Sequence, residues 1–469
     1  DGAQEVGDRL TMLGLELEDI IHPYDAIKDI VVGHVLTKEA HPDSDHLAVC
    51  TVDAGQEEVL NIVCGAPNVA AGQKVPVALV GTTMPGGMVI KKAKLRGVPS
   101  FGMICSEREL GLSEDHNGIM VLPEGFKVGT RLIDALDLDT EILEIGITPN
   151  RGDCLSVLGL AREAALAFKL PLTLPKVHVE AQGADWSSEW AVNIPNPDLC
   201  PFYQLRLVEG VTIRQSPMWM RHRLHAVGVR PISNIVDVTN YILMELGQPL
   251  HAFDRDKLEG GRTEISVARD GERIVTLDGQ ERVLTSADLL IRDGMKPVAL
   301  AGVMGGENSE IMDDTVDVVF ESANFNGTSI RQTALALGMR TEASGRFEKG
   351  LDPMNTVAAV DRACELVELL GCGEVMRGTI DVLPEPIVPK TVKLEPDKVN
   401  GLLGTDVSEA EMRRILLALG FELDGDTIIV PSWRGDVEHY SDIAEEIARF
   451  YGYNNIPCTL MRGQTTSGG

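Results

Sequence analysis

The chain has 469 residues, of which 44% are hydrophobic, so it can bury several cores and we expect three or four domains. Its 42 basic and 71 acidic residues give a net charge of −29, which argues against a protein that binds nucleic acid through a broad basic face. No apolar run approaches the roughly 18 residues that a membrane helix needs, so we expect no membrane-spanning segment.

The cysteines suggest a cellular compartment, and the two ends suggest how the sequence was bounded. The eight cysteines form no C-x-x-C pair and no His/Cys cluster at zinc spacing, which is typical of reduced thiols in a cytoplasmic protein. No signal-peptide pattern precedes the first predicted helix. The chain starts at Asp1-Gly2 and ends in Ser-Gly-Gly, and we interpret it as a piece of a longer protein.

Two separated stretches predict one split α/β domain. Residues 1–26 predict a helix and a strand. Residues 139–190 predict a helix at 155–168 with an Ala-rich apolar stripe, then a Pro-bounded loop and a linker with one strand. We expect helix 155–168 to bury its stripe against the N-terminal stretch, which makes the residues in between an insertion.

The inserted residues, 27–138, predict a small β-barrel. Segments such as IVVGHVLT and KVPVALV are short and β-branched, and turns rich in Gly, Pro and Asn separate them. This pattern is typical of a Greek-key barrel, a fold that binds oligonucleotides through one sheet face and its loops.

Four basic residues within six positions stand out in the barrel segment: Lys91, Lys92, Lys94 and Arg96. In an acidic chain such a cluster is a candidate contact for nucleic-acid phosphates. A solvated hairpin is the alternative, since a charge run alone is more often that. Aromatic residues make up only 4% of the chain, so we expect weak stacking of single-stranded bases.

Residues 191–383 predict a mixed α/β domain with five conspicuous segments: VGVRPISNIVDVTNYILMELGQPLHAFD, LAGVMGGENSEI, VVFESANF, MRTEASGRFEKGLDP and AVDRACELVELLG. His251, Gly305, Gly306 and Glu321 lie in them. Each has a plain structural interpretation: a satisfied core histidine, an ordinary turn, and a charge that closes a strand at the surface. The Pro-rich residues 384–390 predict a linker.

Residues 391–460 predict a small domain in the order strand, helix, strand, helix, with one helix at 408–422. A winged-helix-like module of this kind could bind DNA through a recognition helix. Arg413 and Arg414 are offset by Glu409 and Glu411, however, so we expect contact with a partner protein and not with DNA.

The run from Pro431 to Pro457 holds four carboxylates around the start of a predicted helix: Asp436, Asp442, Glu445 and Glu446. Positions 442, 445 and 446 share one helical face, where like charges repel unless a cation lies between them. A hard cation with oxygen ligands is one explanation. Acidic residues that favour the helix dipole, with Ser441 as the N-cap, are the other, and spacing does not choose between them.

Three sets of motifs point to one family. The WR, the lone Asp, the D-x-x-E-E and the YGYNNIP of the last run resemble the fifth module of the bacterial phenylalanyl-tRNA synthetase beta subunit. HPDSDHL with the later KLRGVPSFGMICSE resembles the tRNA-binding barrel shared by several synthetases and tRNA chaperones. The five central segments, read in order, resemble the editing module of the same subunit.

The resemblance implies an α+β multidomain protein: an OB-fold tRNA-binding barrel inserted in a split α/β domain, a mixed α/β editing domain and a winged-helix-like domain. It implies a subunit of a class II aminoacyl-tRNA synthetase in the cytoplasm. With an alpha subunit, in an α2β2 heterotetramer, such a subunit helps to charge tRNA(Phe) with phenylalanine for protein biosynthesis. Neither DNA nor a membrane is an expected partner.

The resemblance also implies two cofactors. Mg²⁺ is associated in the family with the carboxylates that match Asp436, Asp442, Glu445 and Glu446, in a site shared with the alpha subunit. ATP serves the whole enzyme. The chain has no Walker A segment and no class I synthetase motif, so we do not expect it to bind ATP alone.

The editing module of the family hydrolyses tyrosine wrongly attached to tRNA(Phe). A hydrophobic pocket rejects an added hydroxyl poorly, so a second site that recognises the hydroxyl is useful. We expect Glu321 to accept the tyrosine phenol, His251 to orient the ester or a water, and the two glycines to leave N–H groups free for an oxyanion or ribose. The matching positions are Arg230, Thr239, His251, Gly305, Gly306, Glu321, Thr341 and Ala343.

A stand-alone editing hydrolase or a tRNA-binding chaperone is the alternative function. The carboxylate helix distinguishes the two hypotheses, because a free-standing editor has no use for a metal site shared with another subunit.

Overall fold

A computed structural model describes residues 2–113 and 117–458. The chain forms two compact units: one comprises Asp1–Glu18, Ile145–Met220 and Pro231–Gly469, and the other comprises Asp19–Glu144 and Arg221–Arg230. Within the described residues, no helix combines the length and the apolar character that crossing a bilayer requires. All eight cysteines are free thiols, and only Cys458 is exposed.

The chain opens with α1 (Ala3–Met12) and β1 (Glu16–Ile21) and then forms the barrel unit. The elements of that unit are β2 (Ile30–Ala40), β3 (Ala48–Asp53), β4 (Leu60–Cys64), β5 (Lys74–Ala78), β6 (Ala93–Leu95), β7 (Val98–Ser100), β8 (Met103–Ile104) and α2 (Leu132–Ala135). Five strands form one antiparallel sheet in the order β4-β3-β2-β5-β8. Its edge strands β4 and β8 also contact each other, so the sheet is nearly closed into a barrel.

The barrel core follows from the two-residue alternation of its strands. In β3, Ala48, Cys50 and Val52 are buried and alternate with partly exposed residues. They pack in one cluster with Val75 and Val77 of β5. The predicted barrel-like sheet is therefore confirmed.

The basic cluster lies at the hairpin of β6 and β7. Leu95 pairs with Val98, so Arg96 and Gly97 form a two-residue turn. Their φ angles are 46° and 87°, both left-handed, as the twist of a tight hairpin requires. The turn therefore fixes the position of the basic side chains on this hairpin.

The larger unit resumes with β9 (Ile142–Gly146), which pairs with β1, followed by α3 (Val157–Phe168) and β10 (Gln182–Asp185). The side chain of Ser156 caps α3 by accepting from the Gly159 N–H. This confirms the helix predicted at 155–168. Helix α3 packs on α1 around Leu10, Leu15 and Cys154.

Two large sheets and a two-stranded sheet, β15-β16, make up the central part of this unit. The chain runs here through β11 (Ala191–Asn193), β12 (Phe202–Glu209), α4 (Met218–Ala226), α5 (Asn234–Leu246), β13 (Leu250–Asp254), β14 (Arg262–Val267), β15 (Arg273–Val275), β16 (Glu281–Val283), β17 (Leu289–Arg292), β18 (Pro297–Leu300), β19 (Met304–Gly305), β20 (Val318–Asn324), α6 (Gly327–Ala336), α7 (Glu342–Phe347), α8 (Asn355–Leu370), β21 (Glu374–Arg377) and β22 (Ile380–Val382). Helix α4 belongs to the larger unit only up to Met220. One sheet has the order β10-β21-β12-β20-β13, with β22 also on β12, and the other has the order β11-β14-β17-β18-β19.

Strand β20 lies between β12 and β13 in the first of these sheets. All seven of its residues are buried, because both of its faces are covered. On one face, the Ser322 hydroxyl donates to the Thr356 carbonyl of α8. On the other, Val319 and Ala323 join a core to which β17 and β18 of the second sheet also contribute. A polar side chain on that second face is therefore held between two sheets.

The small domain holds β23 (Thr391–Lys393), α9 (Pro396–Leu403), α10 (Glu409–Ala418), β24 (Glu422–Asp424), β25 (Thr427–Ile429) and α11 (Tyr440–Tyr451), with strand order β23-β25-β24. The helix predicted at 408–422 ends at Ala418, because Gly420 turns the chain at φ 86° into β24. Helix α9 was not predicted from the sequence, although Pro396 at its start and Gly404 at its end are ordinary signals.

Candidate functional site

Strand pairing brings the predicted pair His251 and Glu321 together. His251 of β13 lies directly opposite Glu321 of β20. On the other side of β20, β12 places Leu205 opposite Glu321 and Tyr203 opposite Ala323. Because side chains alternate along a strand, Tyr203, His251 and Glu321 all point to the same face of the sheet.

Three buried polar atoms on this face have no hydrogen-bond partner among the described residues: the Tyr203 hydroxyl, Nε2 of His251 and Oε2 of Glu321. Tyr203 is fully buried and Glu321 is 5% exposed. An unpaired buried polar group destabilises the folded state by about 1–3 kcal/mol, so three neighbouring ones are unusual in a folded core. Neither a satisfied core histidine nor a surface carboxylate describes this pair.

The protein interior changes the protonation of Glu321. Burial raises the pKa of its carboxyl to about 8, and the Tyr203 hydroxyl opposes this rise without meeting hydrogen-bond geometry. Glu321 is therefore mostly a neutral carboxylic acid at neutral pH. The sequence predicts a carboxylate that only accepts, whereas the neutral acid can donate one hydrogen bond and accept another.

The ring of His251 is held by its neighbours and stays neutral. It stands edge-on to Phe253 with ring centroids 4.5 Å apart. Burial lowers the pKa of the imidazole to about 4. A Cβ atom added at Gly305 would lie 2.3 Å from Cε1 and 2.8 Å from Nε2 of His251, so only glycine leaves room for the ring. Gly305 is thus required by its contact with His251.

The expectation of two free glycine N–H groups is wrong for Gly306. Its N–H donates to the Val298 carbonyl at 2.8 Å, because the residue continues the pairing of β19 with β18. The Thr341 hydroxyl donates to the Val303 carbonyl at 2.9 Å, two residues before Gly305, and Thr341 also caps α7. Ala343 packs against the core between the two sheets. Thr341 and Ala343 thus fasten α7 beside the glycine turn.

Two predicted positions are placed elsewhere. The Thr239 hydroxyl donates to the Val236 carbonyl within α5, and no hydrogen bond among the described residues connects it to His251 or Glu321. Arg230 belongs to the barrel-containing unit, where it is exposed in the loop that follows α4. The described geometry therefore assembles His251, Glu321, Gly305, Thr341 and Ala343, to which Tyr203 is added.

The four carboxylates of the last helix do not form one cluster. The side chain of His439, and not Ser441, caps α11, and Oδ2 of Asp442 accepts from the backbone N–H groups of Glu438 and His439. Glu445 is exposed. The N-cap prediction at Ser441 is therefore wrong, because the helix begins earlier than that cap requires.

The other two carboxylates, Asp436 and Glu446, both bind Arg434. Asp436 accepts from Nε and Nη2 of Arg434 at 2.8 and 2.9 Å. Burial alone would raise the pKa of Glu446, but its hydrogen bonds to Arg434 and the charges of Arg434 and Arg449 outweigh burial and lower it to about 2. As a set, the four residues do not fit a magnesium site in this structure.

One other group in the described part of the chain has the spacing of metal ligands: Asp153, Cys154 and Glu163. Arg151 already occupies their centre. Its guanidinium donates to Asp153 at 2.8 and 2.9 Å, to Glu163 at 2.6 Å and to the Cys154 sulfur at 3.1 Å. The group is satisfied by an arginine.

The basic cluster is exposed on the barrel. Lys92 lies over the ring of Phe101, with Nζ 5.8 Å from its centroid. Nη1 of Arg96 donates to the Asp43 carbonyl at 3.1 Å. His41 is buried, with Nδ1 accepting from the Asp43 N–H and Nε2 facing the Leu95 carbonyl at 3.0 Å. His41 therefore fastens the HPDSDHL loop to the basic hairpin and is not a metal ligand.

Sequence reasoning missed Tyr203 and the arginines that hold the carboxylates. Nothing in FYQLRLVE tells which residues face Glu321, because only the strand register settles that. A signal did exist for Glu163, a charged residue inside the apolar stripe of α3 that is 5% exposed. A buried charge needs a partner of opposite sign, which here is provided by Arg151 and Arg449.

Comparison with known proteins matches three separate ranges of the chain to family models. A family model of a putative tRNA binding domain matches residues 30–131. A B3/4 domain model matches residues 199–372, and a tRNA synthetase B5 domain model matches residues 392–453. The candidate site residues Tyr203, His251, Gly305, Glu321 and Thr341 all lie within the B3/4 match.

Relatives match over nearly the whole chain. The phenylalanine–tRNA ligase beta subunit of Nitratidesulfovibrio vulgaris is 59% identical over 98% of this chain and 58% of its own length. That of Geobacter sulfurreducens is 47% identical over 99% of this chain and 58% of its own length. A solved N-terminal fragment of the phenylalanyl-tRNA synthetase beta subunit from Pyrococcus horikoshii is 17% identical, with a TM-score of 0.35, and covers 66% of this chain and 86% of the fragment.

The chain thus spans 58% of the length of these bacterial relatives. The three domain matches and the identity of 59% across almost all of its residues agree. The chain belongs to the family of phenylalanine–tRNA ligase beta subunits.

Proposed function

We propose that this chain does the beta-subunit work of a phenylalanine–tRNA ligase and that the face of β20 hydrolyses tyrosine wrongly attached to tRNA(Phe). The observation that supports the hydrolysis best is the set of three unpaired buried atoms on Tyr203, His251 and Glu321. A bound substrate with its own polar groups would satisfy them. Family membership supports the ligase part of the proposal.

Recognition of tyrosine rests on Glu321. A neutral carboxylic acid and a phenol can exchange two hydrogen bonds, since each has one donor and one acceptor. Phenylalanine offers neither and would leave the acid unpaired in a dry site. That loss is the source of discrimination, because leaving a buried polar group unpaired costs more than the bond itself adds.

In our proposal, hydrolysis depends on the placement of the water and the ester by His251, and no strong base is needed. Water attacks the ester carbonyl carbon, and the bond to the ribose oxygen breaks to give tyrosine and the free 3′ end. His251, with a pKa of about 4, is neutral at physiological pH, so Nε2 can hold the water or the ester through a hydrogen bond. Gly305 and the α7 cap at Thr341 keep the ring in place.

The barrel unit supports binding of tRNA. Its exposed lysines lie beside a groove of about 970 Å³, lined by residues that include Met88, Lys91, Leu95 and Arg108. Basic groups at the edge of a largely apolar groove suit a phosphate backbone with a base turned inwards. In our proposal this unit contributes to holding tRNA(Phe) while an ester is tested in the pocket.

The remaining parts of the proposal concern the whole ligase. We propose that the chain acts in the cytoplasm with an alpha subunit in an α2β2 assembly, and that ATP and Mg²⁺ serve the charging reaction of that assembly. No step through either cofactor is assigned to residues of this chain.

The test is hydrolysis of tyrosyl-tRNA(Phe) and phenylalanyl-tRNA(Phe), with the tyrosyl and phenylalanyl esters of adenosine as small substrates. The small esters report on the pocket without delivery of a tRNA. We expect selective loss of the tyrosyl esters, reduced by Glu321→Ala and unchanged by Glu374→Ala, an exposed residue of β21. Equal rates for both esters, or no effect of Glu321→Ala, would reject the editing assignment.

A further inference from the structure

Helix α11 is joined to helices α1 and α3 through a buried row of side chains whose charges alternate in sign. We propose that Asp436 and Glu446 are not metal ligands but members of this row, which we call the ionic joint, and that only Asp442 and Glu445 face a partner from α11. The ionic joint does not depend on the proposed function. The statement about magnesium does depend on the proposed function. The joint consists of Asp153, Arg151, Glu163, Arg449, Glu446, Arg434 and Asp436.

Glu446 has no oxygen left for a metal. It is 1% exposed, and its Oε1 accepts from Nη2 of Arg434 at 2.8 Å. Its Oε2 accepts from Nη1 of Arg434 at 2.8 Å and from Nη2 of Arg449 at 2.5 Å. A divalent cation on either oxygen would have to displace a guanidinium and would then lie next to its positive charge.

Asp436 is held in the same way from the other side of Arg434. Both of its oxygens accept from that guanidinium, and its side chain is 12% exposed. Arg434 therefore binds two carboxylates with two donors each. Planar paired contacts of this kind fix the orientation of both partners, which a point charge such as lysine would not do.

Arg449 carries the row out of the small domain. Its Nη1 donates to Oε2 of Glu163 on α3 at 2.8 Å and to the Leu13 carbonyl, just after α1, at 3.1 Å. Arg151 continues it from Glu163 to Asp153. The joint thus binds α11 to α3 and to the end of α1, through side chains that are at most 12% exposed.

The charges nearly cancel within the joint. Four carboxylates meet three arginines, so 3 − 4 leaves a single net negative charge. Removing one member leaves its partner buried and uncompensated, which is far more costly than loss of an exposed ion pair. We therefore expect the loss of any one member to weaken the attachment of α11 to α1 and α3.

Asp442 and Glu445 form no ion pair with the arginines of the joint among the described residues. Glu445 is exposed. Oδ2 of Asp442 serves the helix cap, and its Oδ1 is approached only by the Ser441 hydroxyl at 3.4 Å among the described residues. Oxygens for a cation shared with a partner chain are therefore available at Asp442 and Glu445, and not at Asp436 and Glu446.

The first experiment measures thermal unfolding of the chain in EDTA for Glu446→Gln, Asp436→Asn and the matched control Glu445→Gln. We expect the first two to lower the melting temperature by about 3–5 °C and the control to leave it unchanged. Unchanged melting of both joint variants in EDTA would overturn the joint, since a metal ligand matters only when the metal is present.

The second experiment measures magnesium content in the assembled ligase with its alpha subunit. Asp436→Asn, the more peripheral change, is expected to retain the wild-type content, and Glu445→Gln is expected to lose it. Loss of magnesium from Asp436→Asn in a complex that still assembles would overturn our assignment. A wild-type ligase without bound magnesium would instead reject the magnesium part of the proposed function, and the EDTA experiment would still decide the joint.

Discussion

Two buried polar clusters lie in the same unit of this chain, and they differ in whether their groups are paired. In the ionic joint, three arginines pair with four carboxylates and both oxygens of Glu446 are bonded. On the face of β20, the Tyr203 hydroxyl, Nε2 of His251 and Oε2 of Glu321 have no partner among the described residues. Among the described residues the joint leaves one such buried atom, Nε of Arg449, against three on the face of β20, and we propose that a ligand pairs those three.

The two clusters also respond oppositely to burial. Arginines lower the pKa of Glu446 to about 2 and keep it charged, whereas burial without a compensating cation raises the pKa of Glu321 to about 8. The same residue type is thus charged and paired in one place, and in the other it is the neutral acid to which we assign recognition in our proposal. Burial is common to both clusters, so the hydrogen bonds of the two glutamates, and not their burial, separate them.

The largest expected effect comes from breaking the paired cluster. Arg449→Met leaves Glu163 and Glu446 with one cation fewer, so we expect the free energy of unfolding to fall by about 3–5 kcal/mol. Arg413→Met is the control, because its partners Glu409 and Asp426 are exposed and the pair contributes about 0–1 kcal/mol. Urea unfolding measures both. Equal losses would contradict the contrast between joint and surface.

The pH dependence of stability tests the unpaired cluster. The folded pKa of Glu321, about 8, lies above the ordinary value of 4.5 for a glutamate. Its contribution to stability is therefore complete below about pH 4.5 and is lost as pH rises through about 8. Glu321→Gln cannot ionise and keeps that contribution.

We therefore expect the stability of Glu321→Gln relative to the wild type to grow between about pH 5 and about pH 9, by on the order of 3 kcal/mol. His251 titrates in both proteins, so its own pH dependence cancels in the difference. Thermal unfolding across this range measures it. A difference that does not change with pH would mean that Glu321 is ionised and paired, like Glu446.

A smaller effect is expected from filling the space beside His251. Gly305→Ala places a Cβ atom against the ring, so the ring must move. We expect hydrolysis of the tyrosyl ester to fall at least about tenfold, since small misplacements cost about that much or more. Gly401→Ala is the control, because nothing lies within 4 Å of its added Cβ. Wild-type hydrolysis by Gly305→Ala would remove His251 from the mechanism.

The smallest effect is expected at the basic hairpin. Lys92→Gln removes one exposed charge, so tRNA affinity should fall a few-fold and the slope of log affinity against log salt should decrease by about 0.7–0.9. Lys393→Gln, an exposed change in β23 of the other unit, is the control. Filter binding at several salt concentrations measures both. An unchanged slope for Lys92→Gln would take the hairpin out of the tRNA contact.

Much of the architecture was predictable because local signals agreed with it. The alternation in β3, the Ser156 cap of α3 and the apolar stripe of α10 each indicate their element. The motif resemblance also pointed to His251 and Glu321, both of which lie within the B3/4 match. What the sequence does not contain is register: only the pairing of β12, β20 and β13 shows that Tyr203, Glu321 and His251 share a face.

The four carboxylates around α11 show the same limit of sequence analysis, because the sequence does not reveal their partners. Positions 442, 445 and 446 share a helical face in any helix, but their partners come from other elements. Glu446 meets Arg434 from the preceding loop, and its neighbour Arg449 reaches Glu163 on α3, a residue 286 positions away in the sequence. Charges that compensate one another across such distances have no local pattern to reveal them.

The most direct test of the central claim is binding of non-hydrolysable tyrosyl and phenylalanyl amide analogues of adenosine to this chain and to Glu321→Ala. Calorimetry should show the tyrosyl analogue bound about 10- to 100-fold more tightly by the wild type, because it alone pairs the buried acid. In Glu321→Ala the two affinities should become nearly equal. Equal affinities for the wild type would contradict the claim that the unpaired atoms of β20 form a pocket for the tyrosine hydroxyl.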